Sequence, residues 1–214
     1  MNALRFTRLI TASLILGSCA IHHTELDTTK FVDISKIDAS IRLDIRYATT
    51  NNFTGRAMYP SAKCMLRKDI AEKLVRVQRK LQQQKLGLKI FDCYRPFSIQ
   101  QAFWKQIPDT RYVAKPLEEN GKPVAGSRHN RGAAVDLTLV DTEGKSLEMP
   151  TDFDDFSEKA HRHYAGSLLI AQKHLHILEQ AMKEEGFQGI ATEWWHYDAE
   201  GWERYPIEDR PIDD

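Results

Sequence analysis

Two stretches hold most of the residues able to do chemistry. Ser127-Arg128-His129-Asn130-Arg131-Gly132-Ala133-Ala134-Val135-Asp136 sets a histidine ahead of an apolar run and a carboxylate inside it. Glu193-Trp194-Trp195-His196 adds a second carboxylate and a second imidazole. Asp136 stands among Val135, Leu137 and Leu139, where an unpaired charge is costly, so it needs a partner or a metal. Two imidazoles and one carboxylate form a donor set for catalytic zinc that leaves a fourth position for water. Water on zinc ionises near neutral pH and attacks carbonyls. Glu193 is then the spare carboxylate that takes the proton and passes it to a leaving amine. The serine routes lack their marks, with no Gly-x-Ser-x-Gly elbow and no Ser-x-x-Lys, and there is no His-Glu-x-x-His helix. His161 with His163, and His174 with His176, read as surface or internally satisfied pairs. The second pair lies on an expected helix, where residues two apart do not face each other.

The elements around these residues must bring them together. Phe31 to Ile34 and Leu43 to Tyr47 read as short strands, with a polar loop from Tyr47 to Pro60. Residues 66–87 read as a helix on the spacing of Leu66, Ile70, Leu74, Val77 and Leu81, ended by Gly87. Residues 88–93 read as a strand running into the turn Tyr94-Arg95-Pro96. Ser98 is placed to cap a helix over 98–107. Residues 108–126 read as loop, 133–140 as a strand, and 141–146 as a hairpin-like turn. A helix over about 165–185 ends at Gly186, and 189–197 reads as a last strand. In a regular strand residues 193 and 196 face opposite ways. Glu193 and His196 share a site only if that strand bends, bulges or starts between them. Strands and helices do not alternate as a doubly wound sheet requires. The expected fold is one α+β domain with a largely antiparallel central sheet and flanking helices.

The chain has 214 residues, and its 30 Lys and Arg balance 30 Asp and Glu. That length suits one domain with a real core, and zero net charge disfavours nucleic acid as a partner. Residues 1–18 read as a signal peptide: Arg5 and Arg8, then an apolar run from Leu9 to Leu16, too short to span a bilayer. Leu16-Gly17-Ser18-Cys19 resembles the lipobox of bacterial lipoproteins. That resemblance implies cleavage before Cys19 and a lipid on it, with Ala20 pointing to the outer membrane of a Gram-negative cell. An ordinary signal peptide is the plainer alternative. Either reading makes the protein exported, with 19–30 a linker, 31–214 the folded domain and a periplasmic location. Export permits a disulfide between Cys64 and Cys93, the alternative being two buried thiols.

The first stretch resembles the Ser-x-His-x-x-Gly-x-Ala-x-Asp motif of the zinc D,D-peptidases, and the second resembles their Glu-x-Trp-His motif. Within that superfamily (peptidase family M15) the chain is similar to the VanX-type D-alanyl-D-alanine dipeptidases. Arg46-Tyr47-Ala48-Thr49, Asn52-Phe53-Thr54-Gly55, Asp92-Cys93-Tyr94-Arg95-Pro96 and Phe153-Asp154 all match there in order. The resemblance implies the zinc D,D-peptidase fold, one zinc per chain on His129, Asp136 and His196, and Glu193 as general base and then acid. It implies Arg95 as the oxyanion's partner, Tyr47 and Asp154 as holders of the substrate ammonium, and Ser127 as holder of its carboxylate. Three of these also have a plain reading: Arg95 a surface-turn arginine paired with Asp92, Tyr47 a core tyrosine, and Asp154 part of an acidic run in which Asp155 is a rival. Trp194 and Trp195 read as wall and core. Arg128, Pro150 and Cys93 depart from the family's usual residues, which touches pocket detail more than chemistry. The implied reaction is hydrolysis of free D-alanyl-D-alanine by an exported enzyme, in scavenging or wall turnover. The rivals are a D,D-carboxypeptidase for peptidoglycan stem peptides and a non-catalytic wall-binding lipoprotein.

Overall fold

In a computed structural model, residues 30–212 are described. The signal peptide 1–18, Cys19 and all but the last residue of the linker 19–30 lie outside them. Strands run over β1 Phe31–Asp33, β2 Arg42–Leu43, β3 Met65–Arg67, β4 Gly87–Asp92, β5 Leu117–Glu119, β6 Lys122–Ala125, β7 Ala134–Val140, β8 Phe187–Gly189 and β9 His196–Ala199. The helices are α1 Lys68–Gln82, α2 Phe97–Gln106 and α3 Leu169–Glu184. The main sheet has the order β2-β4-β7-β9-β8; β2 joins β4 in parallel and the other neighbours are antiparallel. The expected α+β class holds, with one parallel pair at one edge.

β7 is the middle strand, and all seven of its residues are buried. That explains its near-continuous apolar run, since a strand covered on both faces has no need to alternate. α1 turns Ile70, Leu74, Val77 and Leu81 inward, as their spacing predicts. Gln78 in the same helix is also buried; its Oε1 accepts from the Leu88 N–H at 2.8 Å, tying helix to sheet.

Several boundaries differ from the sequence reading, each for a local reason. Leu66 sits one helical step before Ile70, yet it belongs to β3, whose backbone pairs with β1. Gly87 opens β4; the chain turns earlier, with Lys85 at φ 59. The Ser98 hydroxyl does not cap α2; the Ser98 N–H donates instead to Asp209 Oδ1 at 2.8 Å. The segment 108–126 is not all loop, because β5 and β6 form a hairpin turning at Asn120 and Gly121, both with positive φ. Residues 46–48 form a 3₁₀ turn that buries Tyr47, so the second strand stops at Leu43. α3 starts at Leu169, four residues late. The expected 189–197 strand is two strands: β8 ends at Gly189 and β9 begins at His196. Cys64 and Cys93 come together with Cα atoms 5.3 Å apart and sulfurs at bonding distance.

One glycine is demanded by the backbone beside the site. Gly132 ends the 3₁₀ turn Arg128–Arg131 in the left-handed region, at φ 66, and a Cβ there would overlap the Phe31 ring. Gly132→Ala therefore carries both backbone strain and a steric clash. It is expected to lower unfolding free energy by about 2–4 kcal/mol, read from the denaturant midpoint.

Candidate active site

Register places the first pair of acid and base. β7 and β9 are antiparallel with Asp136 directly opposite His196. His196 Nδ1 lies 3.0 Å from Asp136 Oδ1. The 3₁₀ turn ahead of β7 brings His129 Nε2 to 3.3 Å from the same oxygen and 3.1 Å from His196 Nδ1. The three donor atoms all lie within 4.8 Å of one another, on buried side chains. Burial works against ionising Asp136, yet the imidazoles of His129 and His196 hold its carboxyl well below the usual range. The cluster fits a cation: one carboxylate oxygen and two ring nitrogens converge on buried side chains. The histidine pairs 161/163 and 174/176 contribute nothing to it; His174 Nδ1 is 2.8 Å from the Glu148 carbonyl.

Each imidazole has its far nitrogen occupied. His129 Nδ1–H donates to the Cys93 carbonyl at 2.6 Å. His196 Nε2–H donates to Asp198 Oδ1 at 2.9 Å. These bonds set each ring's tautomer and aim the other nitrogen at the cluster. Burial disfavours charge on His196, but Asp136 and Asp198 outweigh it and raise its pKa to about 10. The same surroundings favour a bound cation. Sequence reasoning missed Asp198, although the signal was available: His196 and Asp198 are two apart on one strand and so share a face.

Glu193 reaches the cluster because it precedes β9. Its Oε2 lies 3.9 Å from His196 Nδ1. Of the three ways out of the alternation problem, the chain uses the last: the strand starts between the two residues. Burial pushes the Glu193 carboxyl up to about 7, with Asp136 adding to the rise and His196 opposing it. A carboxyl poised near neutrality suits a proton carrier. Trp194 and Trp195 are buried as wall and core; Trp194 Nε1–H donates to Thr151 Oγ1 at 2.9 Å, and Trp195 packs on Phe153.

Arg95 is no surface-turn residue. It is buried and does pair with Asp92, through Nε at 3.1 Å and Nη2 at 2.6 Å, while Nη1 donates to Gln100 Oε1 at 2.8 Å. Asp92 is aimed by a register shift at the end of β4 and also accepts from the Tyr59 hydroxyl at 2.7 Å. Burial works against charge on Arg95, but Asp92 and the neighbouring tyrosines keep its pKa raised. The guanidinium is therefore a fixed positive charge in the cleft wall.

Around the cluster lies a cleft of about 170 Å³. Tyr47, Ser127 and Asp154 all line it with Arg95 and Glu193. Ser127 Oγ accepts from the His129 N–H at 3.2 Å, which leaves its own O–H to donate. The Tyr47 hydroxyl donates to Asp154 Oδ1 at 3.0 Å. Asp154 Oδ2 is closed off from solvent and has no partner. Burial and the Asp136 charge push the Asp154 carboxyl well up from its ordinary value. The rival Asp155 is used elsewhere, its Oδ1 accepting from the Ser157 N–H at 2.9 Å. All eight residues picked out from the sequence thus line one cleft.

The Asp198 contact yields a direct expectation. Asp198→Asn weakens the hold on His196, so the cluster's affinity for an added divalent cation such as zinc should fall by about 10–100-fold. Competition with a chromogenic chelator reads this directly.

A family model described as D-Ala-D-Ala dipeptidase, peptidase M15, matches residues 27–211. The D-alanyl-D-alanine dipeptidase of Escherichia coli K12 is 36% identical over 181 residues, covering 85% of this chain and 90% of that one. The enzyme of that name from Enterococcus faecium is 30% identical, covering 78% and 90%. One from Streptomyces coelicolor is 31% identical, covering 79% and 91%. With both motifs meeting in one cleft and the match running over nearly all the described residues, the chain belongs to the D-Ala-D-Ala dipeptidase family of M15 peptidases.

Proposed function

We propose that the protein is a zinc dipeptidase that hydrolyses free D-alanyl-D-alanine to two D-alanines. The observation that carries the substrate reading is Asp154 Oδ2, a buried carboxylate oxygen without a partner at the cleft wall. A dipeptide's ammonium supplies the countercharge that this oxygen lacks. Ser127 offers an O–H to the carboxylate, so both charged termini meet a complementary group.

His129, Asp136 and His196 would hold the zinc. Bound there, it supplies Lewis acidity to water and to the peptide carbonyl. The chain's own groups do the rest. Glu193 takes the proton of the attacking water and returns it to the departing amine nitrogen. Arg95 faces the oxygen of the scissile carbonyl as negative charge develops, with a guanidinium already fixed by Asp92 and Gln100. Phe53, Phe103 and Phe156 line the same cleft and limit water around the reaction.

The rest of the reading rests on sequence. The overall arrangement is the zinc D,D-peptidase fold. Residues 1–18 are a signal peptide and Cys19 carries a lipid, anchoring the domain 31–214 to the outer membrane on its periplasmic side. Cys64 and Cys93 form a disulfide there; their proximity supports this. An enzyme so placed serves wall-peptide turnover or scavenging. A D,D-carboxypeptidase needs room beyond the ammonium end, where Asp154 stands.

Hydrolysis of free dipeptides of defined stereochemistry, with and without chelator, tests the reaction. Glu193→Ala should keep its zinc while turnover drops by about 10²–10⁴; near wild-type turnover would remove Glu193 from the mechanism. Asp154→Asn should raise KM for the free dipeptide at least about tenfold and leave an N-acetylated dipeptide unaffected. Faster cleavage of a stem pentapeptide than of the dipeptide by the unaltered protein would favour the carboxypeptidase instead.

A further inference from the structure

The start of α3 is unlike the rest of the surface. Leu168, Leu169 and Ile170 are consecutive and are 63%, 84% and 47% exposed. Their side chains find no place in the core that Ala171, Leu175 and Leu178 of the same helix enter.

The segment that carries these three residues is basic in sequence between Glu158 and Glu179. Residues 159–178 contain no Asp or Glu, although the whole chain balances its charges. They contain Lys159, His161, Arg162, His163, Lys173, His174 and His176. Lys159, His163, Lys173 and His176 are exposed. The first turn of α3 has neither an acidic residue nor a side-chain cap, so its peptide N–H groups add to the positive field. Arg162 is spent internally: it donates to the Ile190 carbonyl at 2.7 Å, the His196 carbonyl at 2.6 Å and Glu179 at 2.9 Å. Those bonds join the segment rigidly to the strand that carries His196.

We propose that residues 159–178 are a membrane-docking element. Leu168, Leu169 and Ile170 insert among the acyl chains of an anionic bilayer, while Lys159, Lys173 and the exposed histidines lie against its headgroups. Exposed apolar side chains on a segment that also carries exposed lysines are the chemistry of interfacial binding. A protein partner fits less well. Three side chains fall short of the roughly 800 Å² per partner that a stable interface buries. A bilayer requires no such area. No helix among the described residues is long and apolar enough to cross a membrane, so the contact is with its surface. The inference stands apart from the dipeptidase reading, since none of these three residues lines the cleft.

The test compares the full chain with its Leu168→Ser, Leu169→Ser, Ile170→Ser variant, so that any contribution from residues 1–29 is common to both. Both are sedimented with vesicles of mixed phosphatidylglycerol and phosphatidylcholine, and with phosphatidylcholine alone. The full chain should partition onto the mixed vesicles at least about tenfold more strongly than the variant, with high salt and Lys159→Gln, Lys173→Gln each weakening it. Turnover of soluble dipeptide should be the same in both, which shows that the variant folds. Equal partitioning of the two proteins overturns the proposal. So does equal binding to neutral and anionic vesicles, or a concentration-dependent dimer that the variant abolishes, which would make these residues a contact between copies.

Discussion

The site depends on one pairing in the sheet: Asp136 opposite His196 in the β7–β9 ladder. Side chains alternate along a strand, so a slip of one residue would turn Asp136 away from His196 and set Val135 or Leu137 in its place. Those neighbours guard the register. Val135, Leu137 and Leu139 are fully buried on β7, and Tyr197 and Ala199 are buried on β9. The carboxylate that looks misplaced in an apolar strand is therefore held by the strand's apolar character. Burial raises the cost of leaving that charge alone, and the two imidazoles make it tolerable.

The loops around this ladder are cross-bonded before any substrate arrives. The Arg95 N–H donates to the His129 carbonyl at 3.1 Å, and Asn130 Nδ2 donates to the Arg95 carbonyl at 2.9 Å. His129 Nδ1–H closes the circuit through the Cys93 carbonyl. The segment 92–95 thus orients the His129 ring and presents a guanidinium with one stretch of backbone. From the other side, Arg67 is fully buried and donates to the Arg131 carbonyl at 2.8 Å and to Glu208 at 3.1 Å. Preorganisation of this kind is what electrostatic catalysis needs, because a dipole that must swing into place loses part of its effect.

The parts of this arrangement that sequence could show are those set by local pattern. Spacing marks the inward face of α1, and an unbroken apolar run marks β7. Both motifs bring their residues to the cleft together. The missed parts are set by tertiary partners. Leu66 carries a helical spacing but pairs as a strand, because β1 offers a backbone ladder that spacing does not encode. α2 takes its cap from Asp209, 111 residues away in sequence. The β5–β6 hairpin is a different kind of miss, since Asn120-Gly121 is a local turn signal that was readable. The break before His196 was foreseen only as one of three options. Choosing among them needed the position of β8, which takes the residues up to Gly189.

Asp154 shows how the fold selects one carboxylate from an acidic run that sequence leaves ambiguous. Its backbone is left-handed, at φ 62, a conformation that aspartate tolerates better than most residues but that still costs energy. The neighbour pays for it: Phe153 is buried against Tyr47, Phe91 and Trp195, which fixes the chain on one side. On the other side Asp155 caps the turn that follows. Between these two anchors the Asp154 carboxylate meets the Tyr47 hydroxyl at the cleft wall. A buried oxygen with no partner, held there at the expense of backbone strain, makes sense if a cation completes it. The strained residue thus stands in the wall of the same cleft that Arg95 and Glu193 line.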